Sequence, residues 1–361
     1  MATADTITIP AHHNIYNGNN KRDLRIDYAI PDNGTNSDTG IFVFVPGFGG
    51  HIDSNVYRKM REQFADQYNV VTVQCDYFGS RFMQTAESIN LKNGTESLAN
   101  FLCADEIHEI RTNPTSFMSI ISNYSTTVLV EAALGETKEE FVDMGYMQAI
   151  DVVTAIEIIK IILTENHLPF NKERVIGYGQ SQGAYLLHLA NKLVPHLFSQ
   201  IIDNAAWVEP IYLSSNRFLY QSYRKATLAV EFDYIVKQFL QDKKALSLHN
   251  LYKRFKNGAY IYSCIGTTDN LVDVEDKRKA LKGLNNVMFE VIDSTKVDGV
   301  IFKSTNHGLD ADFLKLVDYV LMKKPTHINK NKKQVQYYVA SSQTRLSVDY
   351  SMGLPIFQFV N

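Results

Sequence analysis

The chain has 361 residues, 45% of them hydrophobic and 21% charged, enough to bury a large core either as one α/β domain with insertions or as two or three domains. Its 20 Tyr, 20 Phe and one Trp exclude an intrinsically disordered chain. The net charge, 36 − 39 = −3, excludes a molecule that binds nucleic acid through its overall field.

Leu24–Ile30 alternates apolar and polar residues, the pattern of a half-buried antiparallel strand. After a loop over Pro31–Gly40, Ile41-Phe42-Val43-Phe44-Val45 is continuously apolar, as a strand covered on both faces is. Pro46-Gly47-Phe48-Gly49-Gly50 ends it. An amphipathic helix near Val56–Tyr68 and a strand over Val70–Cys75 follow. This alternation predicts a mostly parallel sheet joined by crossover helices, an α/β fold. Helical spacing then predicts a long helix over about Glu139–Thr164. Strands follow at Arg174–Tyr178, Ser199–Asp203, Ala259–Ile265 and Asn286–Ile292, with a last helix over about Leu309–Met322.

Two stretches break the rhythm and are expected to be helical cap insertions in a catalytic domain spanning 1–322. The first, Ser80–Asp143, carries 4 − 10 = −6; the second, Arg217–Asn257, carries 9 − 3 = +6 and looks most helical over Ala226–Leu240. Two solvated faces, a lid of two oppositely charged halves over the site, or a basic half that meets an anionic substrate all fit these charges. Residues 323–361 read as a basic linker, starting Lys323-Lys324-Pro325, and two or three short strands that could cover a sheet edge, form a separate layer or pair between subunits as a homo-oligomer contact.

The cysteines Cys75, Cys103 and Cys264 are odd in number and lack metal-ligand spacing, which argues against a disulfide framework and a structural zinc site. The first residues show no basic and apolar leader pattern, and no apolar run is long enough to span a membrane. The expectation is a soluble cytoplasmic protein without a membrane span.

Gly179-Gln180-Ser181-Gln182-Gly183 follows a β-branched strand and opens a helix. A serine at such a turn exposes its hydroxyl from a strained backbone, and the flanking glycines permit the close approach. A serine hydroxyl needs a base, and the base needs an orienting carboxylate. Asp269, just past the strand ending at Ile265, and His307, in Asn306-His307-Gly308 before the last helix, complete the order serine, acid, histidine. Asp203, also at a strand end, is the alternative acid. The backbone amide of Gln182, with that of Phe48 or Gly49, is the candidate oxyanion hole. The glycine loop matches neither nucleotide-binding pattern, so no nucleotide is expected there.

With these residues the chain resembles the α/β-hydrolases over about Leu24–Met322. Gly179–Leu186, Leu189–Pro195 and Ile202–Ala205 resemble a bacterial branch of that superfamily defined only as a domain of unknown function. The resemblance implies a triad hydrolase fold; Gln182 stands where many relatives have His, which leaves the amide's role unchanged. Asp203-Asn204 lies within the shared stretch and is either structural or the true acid. The resulting expectation is a serine esterase for a small acyl ester or acylated sugar, working through an acyl-enzyme and needing neither metal nor organic cofactor. A peptidase of the oligopeptidase type and a non-catalytic binding protein are the alternatives.

Overall fold

Gly40–Val45 is buried along its whole length because parallel strands flank it, Val70–Cys75 on one side and Val175–Gln180 on the other. The computed structural model describes residues 1–324 and 326–360; Pro325 of the expected linker lies outside them. The described residues form two compact units. The first comprises Met1–Ser80, Asp143–Pro210 and Leu240 onward; the second comprises Arg81–Val142 and Ile211–Phe239.

The first unit is built on an eight-stranded sheet. Numbered in chain order with the strands of the second unit counted, these are β1 (Thr3–Pro10), β2 (Asp23–Ile30), β3 (Gly40–Val45), β4 (Val70–Cys75), β7 (Val175–Gln180), β8 (Gln200–Asn204), β11 (Tyr260–Gly266) and β12 (Val287–Ile292). Their spatial order is β1-β2-β4-β3-β7-β8-β11-β12. Only β1 and β2 run antiparallel to their neighbours; the pairs from β4 to β12 are parallel. The expected α/β-hydrolase architecture is therefore present. Phe42 and Phe44 of β3, Tyr178 of β7 and Tyr262 of β11 pack with α1 (Asn55–Tyr68) and α8 (Phe313–Lys323) into one aromatic-rich core. On α4 (Tyr146–Glu165), residues all round the helix are buried, and it packs on α5 (Gln182–Leu193) and β4.

The long helix starts later than its periodicity predicts. The Asp143 carboxylate accepts the N–H groups of Gly145 and Met147 at 3.2 and 2.6 Å, and Met144 takes a positive φ of 52°. These bonds satisfy the first helical donors and hold 139–145 out of the helix. The last helix likewise begins at Phe313, capped by Asp312, because Leu309 and Asp310 adopt positive φ.

The second unit corrects the expectation of a helical insertion. Its sheet has the order β5-β6-β10-β9, from β5 (Ser88–Leu91), β6 (Thr127–Ala133), β9 (Arg217–Tyr223) and β10 (Ala226–Phe232). Two short helices, α2 (Ala104–Thr112) and α3 (Phe117–Ile121), complete it. Ala, Leu and Glu give Ala226–Phe232 helix propensity. Yet the segment pairs on both edges, parallel to β6 and antiparallel to β9, and buries nearly every residue. Pairing and burial override a weak local preference. The charge halves also dissolve: 240–257, with Lys243, Lys244, Lys253, Arg254 and Lys256 against Asp242, belongs to the first unit, together with the short α6 (Leu248–Leu251).

Of the readings of the tail, the separate layer is the one seen, and it belongs to the first unit. Strands β13 (Gln336–Ser341), β14 (Thr344–Asp349) and β15 (Ile356–Phe359) form a three-stranded antiparallel sheet within the first unit. Leu346, Val348 and Phe357 are buried.

Candidate active site

Ser181 stands between β7 and α5 with φ 55° and ψ −121°, in the left-handed half of backbone space. A non-glycine residue there costs on the order of 1–3 kcal/mol, and it persists because its surroundings allow nothing else. A Cβ on Gly179 would lie 2.4 Å from the Ala184 nitrogen, and one on Gly183 would lie 2.0 Å from the Val45 carbonyl oxygen. Both motif glycines are thus dictated by the approach of α5 to its own strand and to β3. The Ser181 N–H donates to the Asn204 carbonyl at 2.8 Å, which ties the turn to the end of β8.

Two residues from strand ends, Ser181 after β7 and Asp269 after β11, meet His307 from the loop between β12 and the last helix. His307 Nε2 lies 2.7 Å from Ser181 Oγ, and His307 Nδ1 lies 2.8 and 3.0 Å from the two oxygens of Asp269. A carboxylate can only accept, so Nδ1 carries the proton and Nε2 is left as the acceptor for the Ser181 hydroxyl. The Asp269 side chain is fully enclosed, whereas that of His307 keeps 16% of its surface exposed. Asp269 Oδ1 also accepts the N–H groups of Leu271 and Val272, each at 2.9 Å, which orients the carboxylate.

The loops are stitched to one another. Thr268 N–H donates to the Thr305 carbonyl at 3.0 Å, and the hydroxyls of Thr268 and Thr305 are 2.7 Å apart. Asn204 Nδ2 donates to the Gly308 carbonyl at 3.1 Å. Sequence reasoning did not give Asn204 this role. Its only signal was the shared Asp203-Asn204 stretch, and a contact across 104 residues has no local mark.

The loop over Pro46–Gly50 lies against the nucleophile, where a Cβ on Gly47 would stand 3.5 Å from both Ser181 Cβ and the Gln180 carbonyl oxygen. Gly47 is therefore beside Ser181, with Phe48 and Gly49 next in the chain, and the Phe48 ring is 5.6 Å from that of Trp207. Gln182 is the first residue of α5, where a helix leaves its N–H without an intrahelical acceptor. Its side chain turns away: Nε2 donates to Gln148 Oε1 at 2.6 Å, and Gln148 Nε2 donates to the Phe78 carbonyl at 3.0 Å.

Asp203, the alternative acid, is committed elsewhere. Its Oδ2 lies 2.8 Å from Lys277 Nζ, 2.8 Å from His188 Nε2 and 2.7 Å from Ser263 Oγ, and its Oδ1 accepts the Ala206 N–H at 2.6 Å. All of Asp203, Lys277 and His188 is enclosed. Burial alone would raise the Asp203 carboxyl, but the Lys277 ammonium and the His188 donor overcome it and hold the group well below the usual carboxylate range. Asp273 caps α7 (Val274–Leu281), accepting the Asp276 N–H at 2.8 Å.

A family described as a protein of unknown function, DUF2920, matches residues 9–215, more than half of the chain. The chain belongs to the DUF2920 family. A search of curated proteins finds no significant match. Among solved structures, an acylaminoacyl peptidase in complex with Z-Gly-Gly-Phe-chloromethyl ketone is similar at TM-score 0.50 and 13% identity, over 92% of this chain and 43% of that one. Est1E from Butyrivibrio proteoclasticus with ferulic acid bound is similar at TM-score 0.45 and 12% identity, over 83% of this chain and 93% of that one. The acylaminoacyl peptidase of Pyrococcus horikoshii gives 0.49 and 12% over 92% of this chain and 43% of its own. This DUF2920 chain spans less than half the length of those peptidases. At such identities the likeness is one of fold, the α/β-hydrolase fold. Among the described residues, no helix is long and apolar enough to cross a membrane.

Proposed function

We propose that this DUF2920 protein is a serine hydrolase that cleaves a carboxylic ester of a small acyl substrate through an acyl-enzyme. The observation that carries this reading is the unbroken series of contacts from Ser181 Oγ through the His307 ring to the buried Asp269 carboxylate. Ser181 Oγ attacks the carbonyl carbon while His307 Nε2 takes its proton. The imidazolium so formed is stabilised by Asp269, which stays ionised. Negative charge on the carbonyl oxygen is met by the N–H of Gln182 together with that of Phe48 or Gly49. His307 then returns the proton to the leaving alcohol, and a water molecule repeats the sequence on the acyl-enzyme.

The test is turnover of a short-chain aryl ester by the full chain and by Ser181→Ala. A fall of about 10³-fold or more in kcat with unchanged circular dichroism is expected, since removing a triad member leaves only binding and oxyanion contributions. Undiminished turnover would overturn the assignment. Labelling by a fluorophosphonate tests the same serine independently, because an unactivated hydroxyl reacts poorly. An aminopeptide amide run beside the ester separates the peptidase alternative, which predicts amide turnover comparable with ester turnover.

A further inference from the structure

The net charge of −3 conceals a local concentration of the opposite sign. A cavity of about 550 Å³ is walled by the end of α5, the turn after α6 and strand β13, and Lys192, Lys253 and Arg254 line it. A second cavity of about 490 Å³ shares the wall formed by Pro195, Phe255 and Tyr337, and Lys256, Lys330 and Lys332 line it. Neither cavity is lined by any Asp or Glu. Among the described residues, none of these six cations has a carboxylate within 4.0 Å, whereas Lys160, Lys277 and Lys323 each do.

Five of the six are ordinary solvated side chains when considered singly. Lys192 is not. It is 7% exposed, its side chain makes no hydrogen bond, and its ammonium lies 5.1 Å from the centre of the Phe255 ring. Its side chain is largely enclosed while its ammonium opens on the cavity without an anion, and an aromatic face returns only about 0.5–2 kcal/mol for water lost on that side. Burial accordingly brings the Lys192 ammonium down to about 8. An anion seated in the cavity would supply the missing partner.

We propose that this double cavity binds a small organic molecule bearing at least two phosphate groups, one in each half. Each cavity has a volume ordinary for a small-molecule site, where cavities run to about 300–1,000 Å³. Two phosphate groups carry roughly −3 to −4 at neutral pH, a better match to six cations than a dicarboxylate at −2. Lys and Arg both bind phosphate, Arg through a planar fork. The rings of Phe255 and Tyr337, in the shared wall, offer faces for the organic part between the two groups. Two concave halves suit a compact ligand better than a polymer, which would need a continuous open track.

The experiment titrates the full chain with inorganic tripolyphosphate by calorimetry, at about 150 mM sodium chloride so that loose surface attraction is screened. Saturable binding is expected. It should weaken by about tenfold or more in Lys253→Ala/Arg254→Ala and, separately, in Lys256→Ala/Lys330→Ala/Lys332→Ala, since each removes two or three charge-assisted contacts. These side chains are exposed and bear no structural bond, so both variants should keep the parent melting temperature. Ser181→Ala should bind as the parent does, which separates this result from the hydrolase reading. Absence of saturable binding up to about 5 mM, an affinity too weak for six converging cations, would overturn the proposal. So would undiminished binding by both variants. A short single-stranded oligonucleotide binding more than about tenfold tighter than tripolyphosphate would assign the surface to a polymer and equally overturn it.

Discussion

Asn204 holds Gly308 across 104 residues of sequence: its side-chain amide donates to the Gly308 carbonyl at 3.1 Å, while its own carbonyl accepts the Ser181 N–H at 2.8 Å. One residue thus fixes both the turn that bears the serine and the turn that bears the imidazole. Asn204→Asp keeps the shape but sets a carboxylate oxygen against a carbonyl oxygen, which costs about 1–3 kcal/mol in a buried site. On the proposed reading, kcat should fall about 10–100-fold with KM little changed, because a displaced imidazole affects the chemical step rather than substrate binding. Steady-state kinetics decide it. A variant that loses melting temperature but keeps kcat would make Asn204 structural only.

The sheet and the candidate site were legible in the sequence for one reason: both carry local signals. Ile41–Val45 is apolar throughout because it is flanked on both sides, and Ser181 announces itself because the turn demands glycine at 179 and 183. Asp269 was read from its place just past a strand, and His307 from its place in a glycine-bearing loop before the last helix, in the order serine, acid, histidine. The strands β9 and β10 were misread because Ala226–Phe232 has the composition of a helix and gains its strand conformation from β6, about a hundred residues earlier. Asn204 and Lys277 were missed for the same reason, since only tertiary contacts give them a role.

The Asp203 network predicts a loss of stability rather than of catalysis. Lys277→Met leaves the Asp203 carboxylate enclosed with only His188, Ser263 and the Ala206 N–H as partners. Breaking a buried pair from one side costs about 3–5 kcal/mol. Chemical denaturation should show this loss, while specific activity per folded molecule should remain near that of the parent. Because the folded-state carboxyl is depressed, its contribution is present above the unfolded value of about 3.9 and is lost only as pH falls below that. An Asp203→Asn protein that stays stable and loses turnover a thousandfold would return Asp203 to the candidate acids.

His12 gives a second, milder pH dependence. Its Nε2 accepts the Phe357 N–H at 2.8 Å, and its Nδ1–H donates to the His13 carbonyl at 2.7 Å, so the ring is neutral where it clamps β15. Burial lowers it from the usual 6.5 to about 4. A lowered histidine stabilises the fold above the unfolded value, and that stability drains as pH falls from about 6.5 toward 4 while the unfolded chain takes up the proton. The loss is on the order of 3 kcal/mol over that window. His12→Asn should be less stable at pH 7 and should lack this part of the pH slope. Urea unfolding of both proteins at several pH values between 7 and 4 measures it, and parallel slopes would remove the clamp.

The tail sheet can be read as a subunit arm or as a piece of the first unit, and the two readings differ in what truncation does. Phe357 is fully buried, Tyr337 Oη donates to the Leu193 carbonyl at 2.9 Å, and the Ser341 hydroxyl donates to the Ala245 carbonyl. The Tyr337 bond reaches the last residue of the helix that follows the candidate nucleophile, so the tail braces α5 from its far end, and the Ser341 bond ties the tail to 243–246. Phe357→Ala should cost about 3–5 kcal/mol, the usual range for emptying a buried aromatic site. Removal of 334–361 should lower the melting temperature at every protein concentration, since the lost contacts lie within one chain. An arm exchanged between subunits would behave differently: the cost would depend on protein concentration, and light scattering would show the shortened chain at half the parent mass.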